Sequence, residues 1–178
     1  MEKDLQKGDR RNMEISVTKI QDNLIQFNEA STFGGSEERP YVDSYLYIGS
    51  TRAVVVDTLQ NLPGLYEKAR AFTDLPIDVL ITHGHGDHVG VSTKEFAEAG
   101  CKVYIDPVDI QFLARNPEIR PEWFSPMRDG DEFFLGDRRV RVISCPGHTP
   151  GCAVFFDPDN KILFSGDTVG SGSFWMQI

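Results

Sequence analysis

Three of the chain's four histidines stand within six residues, in Thr82-His83-Gly84-His85-Gly86-Asp87-His88-Val89-Gly90. The apolar run before this segment, residues 77–82, reads as a buried strand, and a helix is expected after it over residues 93–99. Along an extended chain, residues two apart point the same way, so His83, His85 and Asp87 can converge on one side. His88 stands where the chain turns into the helix and can point elsewhere. Gly84 and Gly86 leave room around the imidazoles and tolerate unusual backbone angles. Imidazole and carboxylate donors in one loop suit zinc, iron or manganese. Packed or surface histidines are the alternative, and they do not call for such density.

The fourth histidine lies in Cys145-Pro146-Gly147-His148-Thr149-Pro150-Gly151, again after an apolar, strand-like run. Its prolines and glycines hold His148 in a tightly turned loop. A lone histidine is ordinarily structural. Beside the first cluster, His148 reads as a further ligand, because metal sites need several converging donors. Asp167, in Phe164-Ser165-Gly166-Asp167-Thr168, directly follows a strand and is placed either to bridge two cations or to cap a turn. Asp57 ends Val54-Val55-Val56 in the same manner and is expected to brace the histidine loop by accepting hydrogen bonds from it.

Elsewhere short strands alternate with helices. Strands are expected over residues 15–19, 24–27, 41–48, 53–56, 77–82, 101–105, 132–135, 140–144, 153–156 and 161–164. The β-branched run 53–56 suits a strand buried on both faces. Leu65, Ala69 and Phe72 recur at helical spacing, so a helix is expected from a cap at Asn61, with Pro63 in its first turn, to Thr73. Two more helices are expected, over 93–99, closed by Gly100, and over 108–115. Residues 31–40 and 121–127 read as loops, and Asp157-Pro158-Asp159-Asn160 as a hairpin turn. This order puts sheets at the centre and helices outside, an α+β class.

A chain of 178 residues can bury a real core, expected over residues 13–178 behind a flexible, solvated tail at 1–12. Its net charge of -9 disfavours nucleic acid and anionic membranes as partners. No stretch approaches the roughly 18 apolar residues of a membrane span. The first residues lack the apolar core of a secretory signal, and Cys101, Cys145 and Cys152 make no disulfide framework. The first two lie in apolar runs that suit buried thiols. A reducing, cytoplasmic setting is therefore expected.

Taken together, His83, His85, Asp87, His88, His148 and Asp167, with Asp57 upstream, resemble the metallo-β-lactamase superfamily. The resemblance runs from about Ile15 to the C-terminus. It implies an αββα four-layer sandwich with metals at one edge of the two sheets. It also implies that one metal takes His83, His85 and His148, that the other takes Asp87 and His88, and that Asp167 bridges them with a water or hydroxide. Zinc is the expected ion, with iron or manganese as alternatives. The best-known β-lactamases carry Cys where Asp167 stands, and flavodiiron-type oxidoreductases carry Glu where His85 stands, so both branches are disfavoured. The pattern is most similar to hydroxyacylglutathione hydrolase (glyoxalase II) and related small hydrolases. Persulfide dioxygenases with a single iron share much of it.

The function implied is metal-dependent hydrolysis of an ester, thioester, lactone or phosphoester in a small molecule. In such a reaction two cations would lower the pKa of a water, and Asp87 would orient it and move a proton. A mononuclear iron oxidoreductase acting on sulfur substrates is one alternative. Another follows from the C-terminus. The family pattern continues to a further Gly-His after another helix and strand, whereas this sequence ends at Ile178. The chain thus reads as a shortened form whose second ion is weakly held and whose activity is reduced or absent. The sheet face under the missing helix would be exposed, and a second copy of the chain, as a homodimer, is expected to cover it. Phe174-Trp175-Met176 reads equally as an apolar wall of the substrate pocket or as core packing, and so do Trp123 and Phe124.

Overall fold

Backbone pairing sorts the strands into two sheets. The computed structural model describes residues 14–30, 41–113 and 117–169. The larger sheet has seven strands in chain order: β1 (Ser16–Gln21), β2 (Leu24–Ala30), β3 (Tyr41–Ile48), β4 (Ala53–Val56), β5 (Ile77–Leu80), β6 (Val103–Ile105) and β7 (Phe124–Pro126). The smaller has four, β8 (Glu132–Phe134), β9 (Arg139–Ser144), β10 (Ala153–Asp157) and β11 (Ile162–Phe164), in the order β11-β10-β9-β8. Pairing is antiparallel from β1 to β4 and parallel from β4 to β7. Parallel neighbours need crossover connections. Two of these carry the helices α1 (Leu65–Arg70) and α2 (Ser92–Glu98), and a third carries α3 (Ile110–Leu113).

Two apolar clusters hold the layers together. Leu65, Ala69, Phe96 and Leu113 from the helices share one with Phe27, Val55, Val79 and Val103 from the larger sheet. Tyr47, Val54, Val56 and Leu80, on that sheet's other face, meet Val140, Val142, Phe155 and Phe164 from the smaller sheet. β4 gives Ala53 and Val55 to the first cluster and Val54 and Val56 to the second, which accounts for its uniformly apolar sequence. β3 divides likewise, with Val42 and Leu46 toward the helices and Tyr45 and Tyr47 toward the smaller sheet. The described residues thus form a helix layer and two stacked sheets, the mixed α and β class expected. The outward face of the smaller sheet carries Phe134, Ile143 and Leu163, all exposed.

Several expectations change in detail. Asn61 does not cap α1. Gly64, with φ +100°, stands at the N-cap without a side-chain bond. Glu95 of α2 instead accepts the Gly64 and Tyr66 N–H groups at 2.6 and 3.2 Å. Glu29, itself buried, accepts the N–H groups of Gln60, Asn61 and Leu62. Carboxylates distant in sequence therefore do the work assigned to a local cap. α1 also ends at Arg70, so Phe72 leaves the helix and rests edge-on against Phe27.

The helix expected over 108–115 is a 3-10 turn, Pro107–Asp109, leading into the short α3, and residues 114–116 lie outside the described residues. The stretch 121–127 is more ordered than a loop. It holds a 3-10 turn, Pro121–Trp123, and then β7, whose parallel pairing with β6 leaves no local trace. Trp123 and Phe124 pack against the helix-side core. Cys101 and Cys145 are only half-buried, Cys152 is fully buried, and all three are free. The tail 1–12, the segment 31–40 and Phe174-Trp175-Met176 lie outside the described residues. Among the described residues, no helix is long and apolar enough to cross a membrane.

One polar contact ties the two sheets away from the histidines. Tyr47 of β3 donates its hydroxyl to Asp157 Oδ2, at the end of β10, at 2.7 Å. The same carboxylate accepts the Asp159 and Asn160 N–H groups and the Asn160 side-chain amide. Burial pushes the Asp157 carboxyl up, but these hydrogen bonds outweigh it and hold it below its ordinary value. A lowered folded value stabilises the fold above the unfolded carboxyl range, and the contribution is lost as pH falls through the folded value. Asp157→Asn is therefore expected to cost about 1–3 kcal/mol near neutral pH, as for a buried group left partly unsatisfied. Thermal melts should show the gap from wild type narrowing below about pH 4, where the ordinary carboxyl titrates.

Candidate metal centre

The site forms where β4 and β5 end side by side, the edge of a parallel array at which open sheets commonly bind ligands. Asp57 follows β4 in a left-handed conformation, φ +58°, which is uncommon away from glycine. Its carboxylate is buried and accepts three hydrogen bonds. Thr82 N–H donates to Oδ1 at 2.8 Å, Thr82 Oγ–H to Oδ2 at 2.8 Å, and His88 Nδ1–H to Oδ2 at 2.7 Å. Thr58 extends the seam, accepting from Gly90 N–H and donating to the His88 carbonyl. Gly90 comes so close that a Cβ there would sit 2.1 Å from the Leu59 carbonyl oxygen.

The second histidine loop joins from the smaller sheet. Ala153 N–H, at the start of β10, donates to the Thr82 carbonyl at 2.9 Å. His148, just before β10, is thereby brought to the first loop. Asp167 lies in a 3-10 turn, Gly166–Val169, directly after β11.

Two groups of donor atoms that can hold a metal ion result. His83, His85 and His148 form one, and His83, His88 and Asp167 the other, with the ligand atoms of each within 4.8 Å of one another. His85 Nδ1 lies 3.1 Å from His83 Nε2 and 3.0 Å from His148 Nε2. An imidazole nitrogen carries one hydrogen or one lone pair, so a hydrogen on Nδ1 serves only one of these contacts well. A cation placed among three lone pairs satisfies all of them, and three imidazoles with a carboxylate form a donor set that zinc and its neighbours accept. Asp167 spans the groups, with Oδ1 3.2 Å from His88 Nε2 and Oδ2 3.3 Å from His148 Nε2. Asp87 is half-buried and joins neither group.

Charge and burial divide the histidines. Burial, then the neighbouring imidazoles, drives His83 far below the ordinary histidine range. Burial and His148 lower His85. Burial alone would also lower His88, but the Asp57 and Asp167 carboxylates outweigh it and raise it well above that range. Burial would raise Asp167, and the hydrogen bond and charge of His88 outweigh that and lower it.

Every expected site residue among those described thus gathers at one edge, except that Asp87 stands outside the converging groups. Thr82 and Thr58 were not singled out by the sequence, although a hydroxyl residue beside a histidine cluster and another just after a strand-ending Asp are the available signals. Phe174 and Trp175 fall outside the described residues. Among the described residues, Phe112 of α3 meets His85 edge-on at 5.7 Å.

The metallo-β-lactamase superfamily pattern matches residues 38–177. A hydroxyacylglutathione hydrolase of Methylococcus capsulatus is 41% identical over 91 residues, which cover 51% of this chain and 33% of that protein. An acyl-coenzyme A thioesterase of Homo sapiens is 32% identical over 163 residues, covering 72% of this chain and 58% of that protein. The chain spans less than two thirds of the length of the curated relatives it matches. A solved metallo-β-lactamase from Pontibacter korlensis superposes with a TM-score of 0.71 at 22% identity, covering 85% of this chain and 71% of that one, a likeness of fold. A match that runs through both histidine loops and across most of the sequence leaves one assignment: the protein belongs to the metallo-β-lactamase superfamily.

Proposed function

We propose that the chain is a metal-dependent hydrolase acting on the thioester or ester bond of a small molecule. The observation that carries this reading is the convergence of His83 Nε2, His85 Nδ1 and His148 Nε2 beside Asp167. The two named relatives support the bond type, since a hydroxyacylglutathione and an acyl-coenzyme A are both thioesters. Zinc fits the donor set, with His83, His85 and His148 holding one ion and His88 with Asp167 serving a second.

A divalent cation bound there polarises a carbonyl oxygen and lowers the pKa of a water. The chain's own part is to keep His83 and His85 neutral and to aim the other donors. Burial keeps the His83 and His85 lone pairs free of protons. Asp57 accepts the hydrogen bond of His88 Nδ1–H and so turns Nε2 toward Asp167. Asp167 spans both groups through its two oxygens. Asp87, half-buried in the same loop, receives the proton of the attacking water.

Elemental analysis of the purified protein is expected to give at least one divalent cation per chain. Chelator dialysis should abolish hydrolysis of an acyl-glutathione or acyl-coenzyme A, and added zinc should restore it. Undiminished hydrolysis by metal-free protein would falsify the reading, and one iron per chain with oxygen consumption would replace it with an oxidative one. His148→Ala should lower metal content and hydrolysis together. Asp87→Asn should instead lower kcat by about 10²–10⁴-fold with metal content kept, the range for a lost general base. Loss of metal from that variant would make Asp87 a ligand instead.

A further inference from the structure

A buried carboxylate outside both ligand groups joins the two histidine loops. Asp109 ends the 3-10 turn Pro107–Asp109 and is fully buried. Its Oδ2 accepts Gly84 N–H at 2.8 Å and Thr149 Oγ–H at 2.6 Å, and its Oδ1 accepts Gly151 N–H at 2.7 Å. Gly84 lies between His83 and His85, and Thr149 directly follows His148. One side chain therefore grips a loop that follows the larger sheet and a loop that belongs to the smaller one, each at a residue next to a candidate ligand.

The approach is close on both sides. A Cβ on Gly84 would lie 2.5 Å from the Asp109 carbonyl oxygen, and one on Gly151 would lie 2.7 Å from Asp109 Oδ1. The turn itself is fixed. Asp106 Oδ1 accepts Val108 N–H at 2.9 Å, and Leu113, at the end of the following helix, is buried in the helix-side core. Among the described residues, the ion pairs give Asp109 no lysine or arginine partner. A buried carboxylate held only by neutral donors still favours a positive charge nearby. Its charge also acts on His85, one of the candidate ligands.

We infer that Asp109 is a positioning residue that sets the separation of His85 from His148 and thereby the cation affinity of the centre. This rests on the metal-dependent reading above. Asp109 touches no reacting group. It acts through the backbone of one loop and through the backbone and a hydroxyl of the other.

The test compares Asp109→Asn and Thr149→Val with wild type, using the full chain. Asp157→Asn is the control, because it also alters a buried, multiply hydrogen-bonded carboxylate but lies at a hairpin turn away from the histidines. Three readouts are taken: zinc affinity by chelator competition, the visible absorption spectrum of the cobalt-substituted protein, and thermal unfolding of the metal-free protein. Asp109→Asn is expected to weaken zinc binding by about 10–100-fold, the usual cost of removing a group that orients ligands, and to shift the cobalt bands. Thr149→Val should weaken binding by roughly tenfold, at the lower end of that range, and it decides the question if Asp109→Asn does not fold. Asp157→Asn should lower the melting temperature and leave zinc affinity and the cobalt spectrum unchanged. Wild-type affinity and spectrum in both loop variants would overturn the inference. So would an equal loss of affinity in Asp157→Asn, which would reduce the effect to general destabilisation. A wild-type chain that binds neither zinc nor cobalt would overturn the metal-dependent reading and this inference with it.

Discussion

The Asp57 carboxylate is the contact on which the rest of the site depends. Burying a charge is tolerable only when donors surround it, and here Thr82 supplies two and His88 a third. A backbone angle in the left-handed region costs on the order of 1–3 kcal/mol away from glycine, so it persists only where surrounding contacts enforce it. Ser44 adds to the enforcement by donating its hydroxyl to the Asp57 carbonyl. The result welds the end of β4 to the start of the histidine loop. It also fixes which His88 nitrogen faces Asp167.

The chemistry-bearing residues were legible because their types and spacing are chemically unusual. No ordinary core or surface demands three histidines in six residues. Short apolar runs bounded by turn residues, such as β4 and the β10–β11 hairpin, were legible too. What escaped was whatever depends on residues distant in the chain. Glu95 and Glu29 cap backbone segments some thirty positions away, as in the Gly64 and Asn61 contacts, and so displaced Asn61 from its expected role. β7 pairs in parallel with β6 over three residues, too few for a pattern. Asp109 stands in a short turn whose sequence suggests only a helix start, and its partners lie in two other loops.

The two histidine loops also differ in what holds them. The first is knitted to the β4 end through Asp57 and Thr58, within the larger sheet. The second depends on contacts between layers, through Ala153 to Thr82 and through Thr149 and Gly151 to Asp109. Superfamily membership fixes this scaffold, while the donor types are this chain's own. Phe112 meets His85 edge-on at the same edge.

The direction change in the larger sheet bears on the order in which the chain folds. β1, β2 and β3 pair as an antiparallel meander, with partners close in sequence. β4 to β7 pair in parallel across longer connections, and His148 and Asp167 arrive only with the smaller sheet. Loop-closure entropy makes such non-local pairings late events. The complete donor set therefore requires the docking of one sheet on the other. A partly folded chain holds the donors of the first loop alone, so a cation that needs both loops would be held tightly only once the sheets have docked.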